Sequence, residues 1–511
     1  MKKGILLIIL LSSFAFASIA QLPPISHCAT NNINATILGD GSCYLSQSYE
    51  EGEIASCPTW EVPAGSGKQT IFQHSLWFGG LDANDSLHLA AFRYGQAGQD
   101  YWAGPLKTTD ASIDLMTVLK YHHIWDLTRE EIDHFIAHHG EAGYEIPEDI
   151  LTWPAHGESD YAQNLAPFVD VDGDGHYNPE AGDYPDIKGD QCLFFIFNDS
   201  YADHTESGGG KLGLEVHAMV YAYDNIKDEA LYNTVFVNYE FFNRSANDYH
   251  DVYLGLWSDF DIGYGWDDYI GCDVQRGSYY AYNGTPIDGN GEPEAYGDNP
   301  PVQVLTVLAG PYMDADGRDN PEYVGDCNAL FNGAYPSDKY AYNGFNCGNG
   351  IADDERLGMT GFLYHNNSSY GPNTDPVVAE DYYNFLRGYW KNNTPMMYGG
   401  DGLATGNVVG PECKFMFPGD SDPCNFGTNG IAPNDNYNTG NKFWTETECQ
   451  NAPDDRRGLG MVGPFSFNAG STQVVDYALT TVWKDDDHSA MERMGDIIDH
   501  IKDMFKHGFS K

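Results

Sequence analysis

The chain has 511 residues and a formal net charge of −49 at pH 7, from 75 acidic and 26 basic side chains. Such a charge excludes ordinary nucleic-acid binding, which requires a basic surface. Hydrophobic residues make up 41% of the chain and aromatic residues 14%, so the composition also excludes a disordered acidic tail and supports a large folded core.

The first twenty residues predict a secretory signal peptide. Lys2 and Lys3 precede an apolar run, and the small residues Ser18 and Ala20 have the spacing of a cleavage site. We therefore expect the mature protein to begin at Gln21 and to be secreted, to the cell surface or the medium. No later apolar run approaches the ~20 residues that a membrane-spanning helix needs, so no transmembrane segment is expected.

Most of the remaining chain is predicted to be β-structure. Segments with the alternating pattern of strands that bury one face lie at 71–78, 87–94, 193–197, 214–223, 235–241, 251–257, 302–308 and 475–483. Turn-rich stretches separate them, and helices are too few to supply the crossovers of a parallel sheet. The pattern predicts a mainly β protein, an antiparallel β-sandwich with a few helices.

Two helices are expected. One begins at Thr128, with Glu131 completing a capping box, and runs to Gly140. The other begins at Ser489, with Glu492 in the same role, and is amphipathic. We expect its apolar stripe to pack on the core or on a further segment of the protein.

Long irregular stretches at 310–356 and 398–455 need tethers in a compact protein, and calcium ions and disulfides are the expected ones. In an oxidising compartment the cysteines predict disulfides, although their pairing stays open. They are Cys28, Cys43, Cys57, Cys192, Cys272, Cys327, Cys347, Cys413, Cys424 and Cys449.

These features predict four segments along the chain. Residues 1–20 form the signal peptide, and residues 21–66 form an N-terminal cysteine-containing segment. Residues 67–485 form a composite β-sandwich domain with long insertions. Residues 486–511 contain the C-terminal amphipathic helix.

A calcium-binding loop is predicted at Asp170, Asp172 and Asp174, which alternate ahead of the turn residue Gly175. Calcium takes six to eight hard oxygen ligands, and alternation directs successive carboxylates to one side of a loop. The helix-loop-helix form of this motif has glutamate at loop position twelve, where this chain has Ala181.

Glu180 or Asp183 would therefore have to complete the predicted site. The chain after the loop also contains Pro179 and Pro185, which prevent it from continuing as a helix. The pattern favours a free-standing calcium loop, with Ca²⁺ as a structural ion.

A second acidic cluster follows the strand predicted at 251–257. Its members are Asp259, Asp261, Asp267, Asp268 and Asp273. They are predicted to bind a further calcium ion, although a solvated acidic loop explains the same pattern equally well.

The same region also permits a carbohydrate-directed function. Paired carboxylates serve glycoside hydrolases as acid and base, and the nearby Trp257, Tyr264, Trp266 and Tyr269 have rings that can stack on sugars. These rings can equally be core and loop residues. A secreted glycoside hydrolase and a non-catalytic glycan-binding module therefore remain alternatives to a protein without catalysis.

Long motifs in the chain resemble a family of large secreted proteins of Bacteroidota. The motifs include SLWFGGLD, QDYWAGPL, LAPFVDVDGDGHYNPEAGDYPDIKGDQ, VYLGLWSDFDIGYGWDDYIGCD, DDERLGM, DYYNFLRGYWKNNTPMMYGGDG, CKFMFPGDSDP and DRRGLGMVGPFSFNAGS. The resemblance extends from about residue 70 to residue 483. It implies export by the type IX secretion system, but not a reaction.

Members of this family usually carry a β-rich C-terminal sorting domain, whereas this sequence ends at Lys511. The resemblance therefore implies either a longer parent chain or another route of export. Together, these observations predict a secreted, calcium-binding structural or adhesive protein without catalysis. Its expected partners are surface glycans or other extracellular proteins.

Overall fold

The computed structural model describes residues 23–41, 44–45, 48–50, 53–55, 59–95, 97–332, 335–368, 370–404, 410–433 and 443–509. The predicted signal peptide, the expected mature terminus Gln21, and the cysteines Cys43 and Cys57 lie outside these residues. The described chain is mainly β, with several antiparallel sheets and a smaller helical fraction, which confirms the predicted fold class.

The strands are β1 (Ile25–Cys28), β2 (Asn34–Leu38), β3 (Tyr44–Leu45), β4 (Ser48–Glu50), β5 (Glu53–Ala55), β6 (Trp60–Glu61), β7 (Ile71–Asp82), β8 (Leu87–Ala91), β9 (Trp102–Ala103), β10 (Trp125–Thr128), β11 (Phe168–Val169), β12 (Tyr184–Pro185), β13 (Gln191–Asn198), β14 (Leu214–Ala222), β15 (Thr234–Asn243), β16 (Tyr249–Phe260), β17 (Asp268–Asp273), β18 (Ser278–Asn283), β19 (Val302–Ala309), β20 (Gly361–His365), β21 (Arg456–Phe467) and β22 (Thr472–Val482). The α-helices are α1 (Leu115–Lys120), α2 (Arg129–His138), α3 (Glu148–Leu151), α4 (Glu229–Tyr232), α5 (Cys327–Asn332), α6 (Ala379–Leu386), α7 (Glu446–Cys449) and α8 (Ala490–Lys506). Short 3₁₀ helices cover Pro179–Ala181, Pro336–Tyr342 and Phe426–Thr428.

Two antiparallel sheets dominate the fold. The larger has nine strands in the order β10-β13-β14-β15-β22-β19-β18-β17, and β9 also pairs with β13. The smaller has six strands in the order β20-β21-β16-β7-β3, and β8 also pairs with β7. The strands β1, β2 and β6 of the N-terminal segment form a separate three-stranded sheet.

The two large sheets pack face to face around the main hydrophobic core. On β7, His74 Nε2 lies 3.1 Å from the hydroxyl of Tyr477 on β22. The ring centroid of Phe78 is 5.2 Å from that of Phe241 on β15. Because these contacts join one sheet to the other across buried residues, the architecture is a β-sandwich.

Helices cover the outer face of the nine-stranded sheet. A second hydrophobic cluster contains Ile132 of α2, Ile150 of α3 and Ile501 of α8, together with Phe194 and Met219 from the sheet. Every residue of β13 and β14 is consequently buried. The prediction that each strand has one solvated face is wrong for these two strands, because the helical layer covers their second face.

The outer face of the six-stranded sheet is covered by α6. The ring of Tyr382 on this helix packs edge-on against Trp77 of β7, with centroids 4.7 Å apart. Trp77 in turn stacks on Trp257 of β16. This aromatic layer supports the pocket described below.

Both predicted helix starts are confirmed. Thr128 caps α2 in a capping box with Glu131, and Ser489 caps α8 in a capping box with Glu492. The apolar side of α8 packs on the larger sheet, where Met494 and Ile498 lie in a cluster with strand residues of β19 and β22. Among the described residues, no helix is long and apolar enough to span a bilayer.

Within the described residues, Cys327 and Cys424 form a disulfide that closes a loop of 97 residues. Cys327 lies in the first of the two long irregular stretches and Cys424 in the second. A disulfide therefore tethers the two stretches to each other, as expected for loops of this length.

Candidate metal centre and carboxylate pocket

The predicted calcium loop is the end of a β-hairpin. The strands β11 and β12 pair antiparallel, with Phe168 opposite Pro185 and Val169 opposite Tyr184, and residues 170–183 connect them. The hairpin packs beside α3, where the hydroxyl of Tyr177 donates to the carbonyl of Ile150. The loop is therefore held by the helical layer on the larger sheet.

The three alternating carboxylates lie together in this loop. Carboxylate oxygens of Asp170, Asp172 and Asp174 are all within 4.8 Å of one another. Asp170 is partly buried, and the other two side chains are exposed. Among the described residues this is the group of acidic side chains with the geometry to hold a metal ion.

Backbone amides arrange the loop around Asp170. Its Oδ1 accepts from the amide of Gly173 at 2.7 Å, and its Oδ2 accepts from the amide of Gly175 at 2.8 Å. Both glycines have a positive φ, of 76° and 81°, which other residues rarely adopt. The hydrogen bond from Gly175 is the largest cause of a lowered pKa for Asp170, so this carboxylate is ionised at neutral pH.

The donor set fits calcium. Three carboxylates supply hard oxygens at the first, third and fifth positions of the loop, and their exposure leaves room for water to complete the coordination. The ligating chemistry of such a site is electrostatic, and the expected role of the ion is to hold the hairpin together.

The two predicted completing ligands do not join the three carboxylates within 4.8 Å. Asp183 is fully buried, and its two oxygens accept from the amides of Val171 and Asn178, each at 2.8 Å. Glu180 is exposed and lies in the short 3₁₀ helix after the loop. Asp183 thus stabilises the base of the hairpin through these two hydrogen bonds. That Asp183 or Glu180 binds the ion stays a prediction.

The five aspartates of the second acidic cluster do not form one site. Asp273, the pair Asp267 and Asp268, and the pair Asp259 and Asp261 lie in three different surroundings. Asp273 pairs with Arg276, accepting from its backbone amide at 3.1 Å and from its guanidinium at 2.8 Å. Asp267 Oδ2 accepts from the amide of Gly289, and Asp268 Oδ2 accepts from the amide of Ile262. Burial raises the pKa of Asp268 well above its usual value.

Asp259 and Asp261 line a pocket of about 450 Å³ on the outer side of the six-stranded sheet. Asp259 is near the end of β16, and Asp261 follows that strand. Asp455, immediately before β21, supplies a third carboxylate to the same pocket. Burial is the largest cause of a raised pKa for Asp259, and it raises the pKa of Asp261 to about 7.

Arg457 of β21 connects these carboxylates. Its Nη2 donates to Asp455 Oδ2 at 2.9 Å, and its Nε donates to the hydroxyl of Tyr94 at 2.5 Å. The Tyr94 hydroxyl in turn donates a hydrogen bond to Asp259 Oδ2 at 2.6 Å. Arg457 Nε also lies 3.6 Å from Asp259 Oδ1. The pocket therefore has a charged network that spans three separate parts of the chain.

A second ionic network belongs to the same pocket, because Arg93 and Asp375 also line it. Arg93 donates to Asp375 with an Nη1–Oδ2 distance of 2.9 Å, and His365 Nδ1 lies 3.1 Å from Asp375 Oδ1. Trp257 Nε1 donates to His365 Nε2 at 2.9 Å, which fixes the orientation of the ring. Burial opposes ionisation of Asp375, but the hydrogen bond from His365 and the charge of Arg93 outweigh it and lower the pKa of Asp375.

Asp259 and Asp261 are recognisable from their alternation in the sequence, but most of the residues that complete their pocket are not. Arg93, Tyr94, Asp375, Asp455 and Arg457 come from three other segments, and the sheet register brings them together. The available signal was the DDRR run at 454–457, where acidic and basic residues adjoin the start of a strand.

Comparison with known proteins adds no assignment. A search against protein-family models and a search of curated proteins both return no match to this chain.

Proposed function

We propose that this protein is a secreted, calcium-binding structural protein that acts at the cell surface or in the medium. The observation that carries the proposal is the group formed by Asp170, Asp172 and Asp174, whose oxygens lie within 4.8 Å of one another on a hairpin organised by backbone hydrogen bonds. Negative charges on three carboxylates so close together repel one another, and a bound divalent cation would replace that repulsion with attraction.

The role of the ion would be structural because the hairpin belongs to the helical layer on the larger sheet. Phe168, Tyr177 and Tyr184 of the hairpin pack against the hydrophobic cluster beneath α2 and α3. Holding the loop closed would keep these side chains on the sheet. Calcium sites of extracellular proteins function with dissociation constants as weak as about 10⁻⁴–10⁻³ M, so a site of low affinity would be sufficient in an exported protein.

The proposed extracellular location rests on the predicted signal peptide and on the family resemblance. The apolar segment after Lys2 and Lys3 supports export, and the long motifs shared with Bacteroidota secreted proteins support the type IX route. The proposed location and the β-sandwich scaffold together support an adhesive or surface-layer role. Surface glycans and other extracellular proteins are the proposed partners.

Calorimetric titration of the metal-free mature chain tests the calcium proposal. We expect one calcium-selective site that Asp172→Asn weakens at least tenfold, because the substitution removes one of three ligating charges. Asp186→Asn is the matched control, since Asp186 is an exposed aspartate just beyond the hairpin. Equal affinity for magnesium, or calcium binding that Asp172→Asn leaves intact, would overturn the proposal.

A further inference from the structure

The pocket beside β16 has polar groups that its own network does not use. Arg93 and Arg457 face four carboxylates, those of Asp259, Asp261, Asp375 and Asp455, so the pocket has a surplus of two carboxylates. Apart from the ion pairs described above, Asp259 Oδ1, Asp455 Oδ1 and Arg457 Nη1 have no hydrogen-bond partner. Leaving buried polar groups without partners costs about 1–3 kcal/mol each, which suggests that a bound molecule completes the network.

Burial separates these side chains from an ordinary solvated acidic surface. Asp259 is 3% exposed and Arg457 is 7% exposed, although both line the pocket. Two unused acceptors and one unused donor therefore belong to a single concave site. A metal ion would meet the guanidinium groups as well as the carboxylates, and an anion would meet the surplus carboxylates.

A neutral polyol matches this combination of groups. Each sugar hydroxyl donates one hydrogen bond and accepts others, so it can serve a carboxylate and a guanidinium at once. Anions and cations can satisfy only one half of the set. The chemistry therefore favours a saccharide over an ion.

Aromatic side chains line the same pocket. Trp266 is 59% exposed, a large exposure for a tryptophan, and Phe72 lies at the start of β7. The ring of Phe72 is 6.2 Å from that of Tyr94. Such rings offer flat apolar surfaces for the C–H faces of a sugar, while their polar neighbours hold its hydroxyls.

The loop that carries Trp266 is built close to the carboxylates. A Cβ at Gly265 would collide with Asp261 Oδ1, so a larger residue there would force the Asp261 side chain to move. The exposed Trp266 therefore follows directly on a backbone position that lies against the Asp261 carboxylate. The aromatic and acidic parts of the pocket are thus one structural unit.

We propose that the pocket formed by Asp259, Asp261, Asp455, Arg457 and Trp266 is a saccharide-binding site. The carboxylates and Arg457 bind hydroxyl groups, and Trp266 packs against the sugar ring. The site is separate from the calcium hairpin, and the inference does not depend on the calcium proposal.

The test is a screen of the full mature chain against a broad array of neutral and charged glycans, followed by titration with the oligosaccharides that bind. Isothermal titration calorimetry provides the readout, because it reports binding in Trp266→Ala as well as in the wild type. We expect binding that Trp266→Ala and Asp261→Asn each weaken at least tenfold. Tyr335→Ala is the aromatic control, since Tyr335 is 47% exposed and does not line the pocket. Asp172→Asn should likewise leave saccharide binding unchanged.

Release of new reducing ends by the wild type but not by Asp261→Asn would also support occupancy of the site by a saccharide. The proposal is overturned if no glycan binds at millimolar concentration, or if binding is the same in both pocket variants. It is also overturned if only a divalent cation gives a binding signal and Asp261→Asn abolishes that signal.

Discussion

The hairpin at 170–183 and the pocket beside β16 both begin from aspartates at alternate positions, yet the structure gives them different chemistry. In the hairpin, Asp170, Asp172 and Asp174 converge in a solvated turn without a nearby cationic partner among their described contacts. In the pocket, Asp259 is buried against Arg457 and Tyr94. The same spacing thus gives a candidate ion site in one place and a preorganised polar network in the other, because curvature and burial differ.

The difference predicts opposite effects for loss of the cationic partner in the pocket and loss of one of the three alternating carboxylates in the hairpin. In the pocket the carboxylates depend on protein groups, so loss of a partner should destabilise the fold. In the hairpin the carboxylates repel one another until an ion binds, so loss of one charge should be tolerated. Four variants test this comparison, beginning with the largest expected effect.

Arg457→Met should lower the free energy of unfolding by about 3–5 kcal/mol, because it leaves the buried Asp259 and the partly buried Asp455 without their cationic partner. Urea unfolding monitored by fluorescence and circular dichroism measures the change. Adding Asp259→Asn to this variant should recover part of the loss. A loss below about 1 kcal/mol for the single variant would show that the network contributes little to stability.

Asp183→Ala should destabilise the hairpin by about 2–3 kcal/mol, since the amides of Val171 and Asn178 lose their acceptor. Hydrogen exchange at these two amides should accelerate accordingly. Asp186→Ala, the exposed control, should change neither amide. Unchanged protection in Asp183→Ala would contradict the role of this carboxylate in closing the loop.

Asp261→Asn should gain stability over the wild type as pH rises. The folded-state pKa of Asp261 is raised to about 7 from an ordinary value near 4, so its favourable contribution is complete below pH 4 and is lost as pH rises through 7. We expect the variant to gain about 2–3 kcal/mol relative to wild type between pH 5 and pH 8. Denaturant unfolding at the two pH values measures this.

The control for that experiment is Asp203→Asn, because the Asp203 side chain is 99% exposed. Its stability should follow that of the wild type at both pH values. If the free energy of unfolding changes with pH equally in Asp261→Asn and in the wild type, the pocket does not raise the pKa of Asp261.

Asp172→Asn should have the smallest effect when calcium is absent. We expect a change of less than about 0.5 kcal/mol, in the direction of greater stability, because one of three like charges is removed from an exposed loop. Unfolding in EDTA measures it. A loss above about 1 kcal/mol would mean that Asp172 stabilises the loop without an ion.

The sequence contained much of the fold but only part of the pocket. The alternation at 235–241 and 475–483 predicts strands, and these are β15 and β22, paired at the centre of the larger sheet. The capping boxes at Thr128 and Ser489 locate α2 and α8 because the cap is local chemistry. Burial of both faces of β13 was not predictable, since it depends on distant helices that cover the sheet.

The two candidate sites also differ in how far the sequence predicts them. Asp170, Asp172 and Asp174 meet through the local turn, so their spacing predicts their proximity. The contact between Asp259 and Arg457 depends on the pairing of β16 with β21, nearly two hundred residues apart. Such partners cannot be read from spacing, because the sheet register determines which charges meet.

Thermal unfolding of the metal-free mature chain, with calcium or magnesium added back, tests the central claim most directly. An ion that binds only the folded state stabilises it by about 2.7 kcal/mol at a hundredfold excess over the dissociation constant. We expect a rise in Tm of about 2–3 °C with calcium, a smaller rise with magnesium, and a calcium-specific rise that is reduced by at least about half in Asp172→Asn. Equal shifts with both ions, or a calcium shift of undiminished size in Asp172→Asn, would contradict the calcium proposal.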